Sequence, residues 1–304
     1  MNFKSVFLKV SISLLTMLIA SDGFALNIRP KDPTKSKDCS TKVPIRRPYE
    51  DLIQKVAVYG EDGRRYTDDP MTRATMRLYC KIKNKKGVIE ELPSTAAHLI
   101  GDGRQVRLST HVVTDRVRSS PGYCKKFFTD LKNCFVKDMG DVTKNYELDL
   151  TRIQGAPFCS SKIEDYQDDP LVIGLKEVPK DIEPYQEGRG SDLQVGDKLT
   201  VVSSFALNFG GPDNYDRTER IIQTCQVTYV DKRFNLLATD CDTGNGASGS
   251  IALDSNNKAV AQLYGDLQRG QVVQSSGSKG SIDGLPFDPQ NNFSVFVPVD
   301  PISK

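Results

Sequence analysis

The chain has 304 residues, 26% of them charged, and a formal net charge of +2. That length holds one large or two medium domains, and so even a charge balance gives no electrostatic reason to expect a nucleic-acid partner. The sequence has two histidines, so any catalytic or metal-binding histidine must be His98 or His111.

Residues 1–25 read as a secretory signal peptide. Lys4 and Lys9 supply the positive end, residues 10–20 form an apolar stretch too short to span a bilayer, and Gly23 and Ala25 are small residues suited to cleavage. No later stretch is long and apolar enough for a membrane helix, so the expectation is a secreted or periplasmic protein with no membrane partner after signal removal. Residues 26–47 are polar, proline-containing and lysine-rich, and 26–55 are expected to be a pro-segment or N-terminal extension.

Export favours disulfides. The cysteines are Cys39, Cys80, Cys124, Cys134, Cys159, Cys225 and Cys241. An odd number leaves at least one unpaired, lost with a pro-segment, or bridged to another chain. Cys225 and Cys241 bracket two strand-like runs, 226–230 and 235–238, joined by Asp231-Lys232-Arg233, and are expected to pair. Pairings among the other five cannot be read from the sequence; Cys124–Cys134 is the most local choice.

Strand-like runs follow at 75–82, 88–92, 96–100, 106–110, 148–153 and 171–175. Gly101-Asp102-Gly103-Arg104 is a strong turn signal between two of them. Residues 124–134 read as a charged insertion and 188–196 as a linker. A second set of runs lies at 198–205, 221–230, 236–239, 250–253, 259–264 and 293–299, and 265–289 read as a long exposed loop. Short, regularly spaced strands with scarce helical periodicity predict an all-β fold, in two parts at 56–187 and 188–304.

The stretch around which the chemistry is organised is Thr239-Asp240-Cys241-Asp242-Thr243-Gly244-Asn245-Gly246-Ala247-Ser248-Gly249-Ser250. Glycine lets the backbone turn tightly and expose its N–H groups. A serine on such a turn has donors beside its own oxygen for the oxyanion formed when it attacks a carbonyl. A serine nucleophile needs a base and a carboxylate to orient it. Both histidines precede Ser248, which excludes the Ser–Asp–His order of α/β-hydrolases, and Ser250 stands where the nucleophile elbow needs its second glycine. Two histidines thirteen apart do not make the usual helical zinc spacing, so no metal and no cofactor is implied.

What remains is His, Asp, Ser on a β scaffold, and here the residues resemble chymotrypsin-fold, trypsin-like serine proteases. Leu99-Ile100, a turn, then Ser109-Thr110-His111-Val112-Val113 resembles their histidine segment. Asp169 followed by Leu171, Val172, Ile173, Leu175 and Pro179 resembles the aspartate segment, and Cys241 to Ser250 the serine segment. Val58-Tyr59-Gly60-Glu61-Asp62-Gly63-Arg64 is similar to the mature start of the bacterial secreted, glutamyl-endopeptidase-like branch. The resemblance implies two six-stranded antiparallel β-barrels with the site between them. It implies a catalytic His111, Asp169 and Ser248, and an oxyanion hole of the Gly246 and Ser248 N–H groups.

Competing residues exist. His98, in Thr95-Ala96-Ala97-His98, resembles the family's Thr-Ala-Ala-His, but the strand and turn that precede the family's histidine precede His111. Asp168 and Asp149 compete with Asp169 and fit the apolar pattern less well. Ala247 stands where trypsin-like enzymes carry the Asp that pairs with a new N-terminus. Zymogen activation, if any, is therefore expected to be removal of 26–55. Asp242 matches the pocket-floor Asp, implying a preference for Lys or Arg, or else it shapes a turn beside Cys241. Thr243, Leu263, Tyr264 and Gly265 are expected to wall the pocket. Leu263 stands where glutamyl-specific relatives use a histidine, so cleavage after Glu is not expected. The expectation is a monomeric endopeptidase acting on polypeptides; the alternative is a catalytically inactive protease-like binding or adhesion module.

Overall fold

The computed structural model describes residues 63–83, 86–113, 131–157, 163–204, 218–243, 247–268 and 292–301. The expected signal peptide and pro-segment, the stretch Val58–Asp62, Cys39, Cys124, Cys159, Gly246 and most of the expected 265–289 loop lie outside these. No helix among the described residues is long and apolar enough to cross a membrane.

Strands β2 (Thr75–Lys83), β3 (Ile89–Ile100), β4 (Gln105–Ser109), β5 (Cys134–Lys137), β6 (Asn145–Gln154) and β7 (Pro170–Leu175) close a barrel in the order β2-β3-β4-β7-β6-β5. Strands β8 (Lys198–Ser203), β9 (Arg220–Asp231), β10 (Leu236–Thr239), β11 (Ile251–Leu253), β12 (Ala259–Gln268) and β13 (Asn292–Pro298) form a second ring, closed by the β8–β9 pairing. All of these pairings are antiparallel. The fold is thus the pair of six-stranded barrels that the resemblance implied. A short strand β1 (Arg65–Thr67), which the sequence did not announce, adds to β9 of the second ring.

Local chemistry explains the elements. The β3–β4 hairpin turns on Gly101 (φ +62°) and Gly103 (φ +80°), and Gly103 N donates to Ile100 O at 3.0 Å. The runs 88–92 and 96–100 are one strand, because Pro93 sits opposite Tyr79 at a bulge, where its missing N–H is tolerated. In β9, Cys225 and Val227 point inward while Thr224 and Gln226 face out, the period of a half-buried strand. Cores built from Met76, Leu78, Leu99, Leu108 and Ile173 in the first barrel, and Leu199, Val201, Leu237 and Phe296 in the second, follow from that pattern.

Three expectations are corrected. Cys134 bonds Cys80, not Cys124; the two cysteines are register partners on β2 and β5, with Cα atoms 4.0 Å apart. The expected insertion 124–134 therefore ends in a β-strand. The expected loop from 265 begins later, because β12 runs on to Gln268 against β13. The expected Cys225–Cys241 disulfide is present. The 188–196 segment crosses between the barrels with its backbone tied down: Gly188 N donates to Ala259 O at 2.8 Å and Gly190 N to Val299 O at 2.9 Å. A Cβ on Gly190 would lie 2.1 Å from Val260 O, so a side chain there has no room.

Apolar and polar contacts both cross between the barrels: Val202, Ile222, Ile251, Leu253 and Ala259 of the second pack into the same buried cluster as the first barrel's core. Buried Arg220 on β9 reaches Asp138 Oδ1 at 3.5 Å and Thr75 O at 3.2 Å, and Arg77 on β2 donates to Ser204 O. Gln262 Nε2 on β12 donates to Ser109 Oγ at 2.9 Å.

Candidate active site

The site begins where β4 ends. Residues Thr110–Val112 form one 3-10 turn after the strand, and His111 is its middle residue. β4 pairs with β7 so that Ser109 faces Pro170. This puts Asp169, just before β7, beside His111, and Thr110 N donates to Asp169 O at 2.7 Å. The Asp169 carboxylate is 1% exposed; its Oδ1 accepts from the His111 backbone N and from Nδ1, each at 2.9 Å. Its Oδ2 is buried with no hydrogen-bond partner among the described residues. Both competitors lie elsewhere. Asp168 is exposed. Asp149 accepts from Thr151 and meets Arg152 Nε at 2.7 Å.

Ser248 and Gly249 are the two central residues of a turn closed by Ser250 N donating to Ala247 O at 3.0 Å. Gly249 has φ +87°, the left-handed conformation that a type II turn demands at this place. Ser248 is thereby lifted out of the strand that follows. Its hydroxyl donates to Tyr264 O at 3.4 Å, a long bond, so the hydrogen bond it makes is to Tyr264 and not to His111. Tyr264 is nonetheless common ground for the two: its ring lies 5.1 Å from the His111 ring, centroid to centroid, and stacks on Tyr166 at 3.8 Å. Ser109, two residues before His111, comes within 3.4 Å of where a Gly249 Cβ would be. His111, Asp169 and Ser248 thus share one locality at the barrel seam. Ala247 is buried in the second core, as an apolar residue can be without the partner that a buried Asp would need.

The expected pocket residues divide. Asp242 is 5% exposed, and its Oδ2 accepts from Gly63 N at 2.8 Å. Its backbone is clamped by the Gln223 amide, which takes the Asp242 N–H at 2.7 Å and donates to Asp242 O. Thr243 shares a 2.7 Å hydrogen bond with Ser294, which donates to Cys241 O at 2.8 Å. The Leu263 side chain packs into the second core. Gly265 has open space where a Cβ would be. Gly246 lies outside the described residues.

His98, which competed with His111, is wholly buried on β3 and bonded at both ring nitrogens, to Thr75 Oγ1 at 3.0 Å and Gly249 O at 2.7 Å. Burial pushes its pKa down to about 3, against the opposing pull of the Gly249 carbonyl, and Arg107 adds to the depression. Sequence reasoning missed Thr95, Tyr166 and Gly63 as neighbours of the site. The Thr95–Ser248, His98–Gly249 and Gly63–Asp242 contacts join residues 153, 151 and 179 positions apart, which no local pattern signals.

No protein-family model matches the chain, and no curated protein matches it. Among solved structures it is similar to one described as a Glu endopeptidase in complex with MPD, at 17% identity and TM-score 0.48, covering 68% of this chain and 87% of that one.

Proposed function

We propose that the chain is an exported serine endopeptidase that hydrolyses peptide bonds through an acyl-enzyme on Ser248. The observation that carries this reading is the seat of His111. One oxygen of a buried carboxylate holds both its backbone N–H and Nδ1, beside a turn that presents a serine. A hydrogen bond from Nδ1 to Asp169 puts the ring proton on Nδ1 and the lone pair on Nε2, the tautomer a general base needs.

The steps follow from that tautomer. The Ser248 hydroxyl turns from the Tyr264 carbonyl to His111 and gives its proton to Nε2 as Oγ attacks the scissile carbonyl carbon. The new oxyanion meets the N–H of Ser248 and, by the resemblance, that of Gly246; losing one such donor costs about 3–4 kcal/mol of transition-state stabilisation. The imidazolium, stabilised by Asp169, then protonates the leaving amine. Water, deprotonated by the same nitrogen, releases the acyl group.

A Lys or Arg side chain entering the pocket would meet the Asp242 carboxylate that accepts from the Gly63 N–H. A carboxylate accepts at both oxygens, so the proposed preference needs only that a substrate cation share it with Gly63. Mapping cleavage sites on a denatured protein tests it: cuts after Lys and Arg, lost in Asp242→Ala, support it, and cuts indifferent to that substitution reject it. Removal of 26–55 is proposed to precede activity, and N-terminal sequencing of active protein should then begin at residues 56–59.

The reading as a whole is tested by casein hydrolysis, which should vanish in Ser248→Ala and in His111→Ala. The second reading, an inactive binding module, draws on the direction of the Ser248 hydroxyl, towards Tyr264. Hydrolysis that survives in Ser248→Ala, or that the processed wild type lacks, rejects the endopeptidase reading.

A further inference from the structure

The candidate serine belongs to the second barrel and the candidate base to the first, so their relative position is set across the seam. Two side chains of β3 cross it. Thr95 Oγ1 donates to Ser248 O at 2.6 Å, and His98 Nε2 lies 2.7 Å from Gly249 O. The same two peptide groups are held at their other ends from the second barrel: Gly249 N donates to Leu263 O at 2.8 Å and Ser250 N to Ala247 O at 3.0 Å. Both peptide planes after Ser248 are therefore pinned at oxygen by one barrel and at nitrogen by the other. Close approach is possible because Gly249 has no side chain and Ala96 lies between the two pegs; a Cβ on Gly249 would meet Thr95 Oγ1 at 3.1 Å and Ala96 O at 3.4 Å.

The His98 contacts have one consistent direction. A carbonyl only accepts, so Nε2 carries the proton and donates to Gly249 O. In the neutral ring Nδ1 then accepts, so Thr75 Oγ1, 3.0 Å away, donates to it. That hydroxyl in turn accepts from Tyr185 O–H at 2.9 Å. Burial raises Tyr185 well above its ordinary range and keeps it a donor. Among the described residues, an imidazole placed here is a rigid plate with a donor on one edge and an acceptor on the other. With both nitrogens bonded and no exposure, it has no route to a substrate.

We propose that His98, with Thr95, is a positioning residue that fixes Ser248 relative to His111 by holding the Ser248 and Gly249 carbonyls from the opposite barrel. The proposal rests on the endopeptidase reading for its effect on rate, and on geometry alone for its effect on the turn.

Three substitutions separate the two edges of the ring. In His98→Gln the amide nitrogen reaches the place of Nε2 and keeps the donor to Gly249. In His98→Asn the side chain reaches only the place of Nδ1 and keeps the Thr75 contact. His98→Leu keeps neither. The readouts are the rate of fluorophosphonate labelling of the processed chain, peptide kcat and KM, and amide hydrogen exchange at Gly249 and Ser250. His98→Leu and His98→Asn should label and turn over about tenfold slower or worse with KM little changed, the effect of one lost buried hydrogen bond in the transition state. His98→Gln should recover to within about threefold of wild type. Exchange at Gly249 and Ser250 should quicken in the first two and return towards wild type in Gln. Thr95→Val should act in the same direction as His98→Leu. If His98→Leu does not fold, Gln against Asn decides. Equal behaviour of Gln and Asn, or exchange unchanged in all variants, overturns the proposal. A processed wild type that neither labels nor cleaves sinks the endopeptidase reading instead, while the exchange pattern still decides whether His98 pegs the turn.

Discussion

Asp169 Oδ1 accepts two hydrogen bonds from a single residue, the His111 backbone N–H and Nδ1, each at 2.9 Å. The carboxylate thus fixes both the main chain of the 3-10 turn and the tautomer of its ring. Asp169→Asn keeps the volume and removes the charge that favours Nδ1–H. The prediction is a kcat about three to four orders of magnitude lower, with KM nearly unchanged, measured on a peptide substrate. A loss of less than tenfold would mean that Asp169 does not orient the base.

Gly249→Ala tests the turn. Its φ of +87° penalises any Cβ by about 1–2 kcal/mol, and that Cβ would press on Thr95 Oγ1 at 3.1 Å. Thermal unfolding should fall by about 2–8 °C, and labelling at Ser248 should slow. An unchanged melting temperature would show that the turn has another conformation in solution.

Stability should depend on pH through His98. Its folded pKa is lowered from 6.5 to about 3 by burial. Above pH 6.5 it is neutral in both states and adds no pH dependence. Between pH 6.5 and 3 the unfolded chain binds a proton that the folded chain excludes, so stability falls as pH falls, with a slope approaching about 1.4 kcal/mol per unit. The charged groups packed around it are Arg107, paired with Glu187, and, by way of Tyr185, Arg220. Urea unfolding at pH 7, 5.5 and 4.5 should show a shallower loss for His98→Gln than for wild type. Parallel curves would mean that His98 titrates normally.

Asp138 is fully buried between Arg73 at 3.3 Å and Arg220 at 3.5 Å. Asp138→Leu leaves Arg220, 2% exposed, without its carboxylate and should cost about 3–5 kcal/mol in urea unfolding. Asp138→Leu with Arg220→Met removes the pair and should recover most of that loss. A double variant as unstable as the single one would show that packing, not charge, accounts for the effect.

The Cys80–Cys134 bond closes a loop of sequence separation 54. Replacing both cysteines by Ala should lower stability by about 4 kcal/mol through the unfolded chain, read from urea midpoints. A change under about 1 kcal/mol would show that unfolded-state structure already supplies the constraint.

Strands flanked by turn chemistry were legible in the sequence. β10 lies between the Asp231–Asn235 turn, where Asn235 takes φ 50°, and Asp240, and it has the bounds expected of it. β5 was hidden because Cys134 bonds Cys80, 54 positions away, and not the cysteine nearest to it in sequence. β1, of 3 residues, carries no periodicity and exists only through β9. The neighbourhood of His111 and Asp169 was legible because each sits at the end of an apolar strand, and those strands pair. Thr95 and His98 were not, because their contacts cross the seam to a glycine-rich turn. Nor was the Gly63 partner of Asp242, since a backbone N–H leaves no mark in a sequence.

The most direct test of the account is mass spectrometry of the processed chain after reaction with a fluorophosphonate. The account predicts one adduct, on Ser248, absent in Ser248→Ala and in His111→Ala. A processed, folded chain without an adduct, or one labelled equally well in His111→Ala, would contradict it.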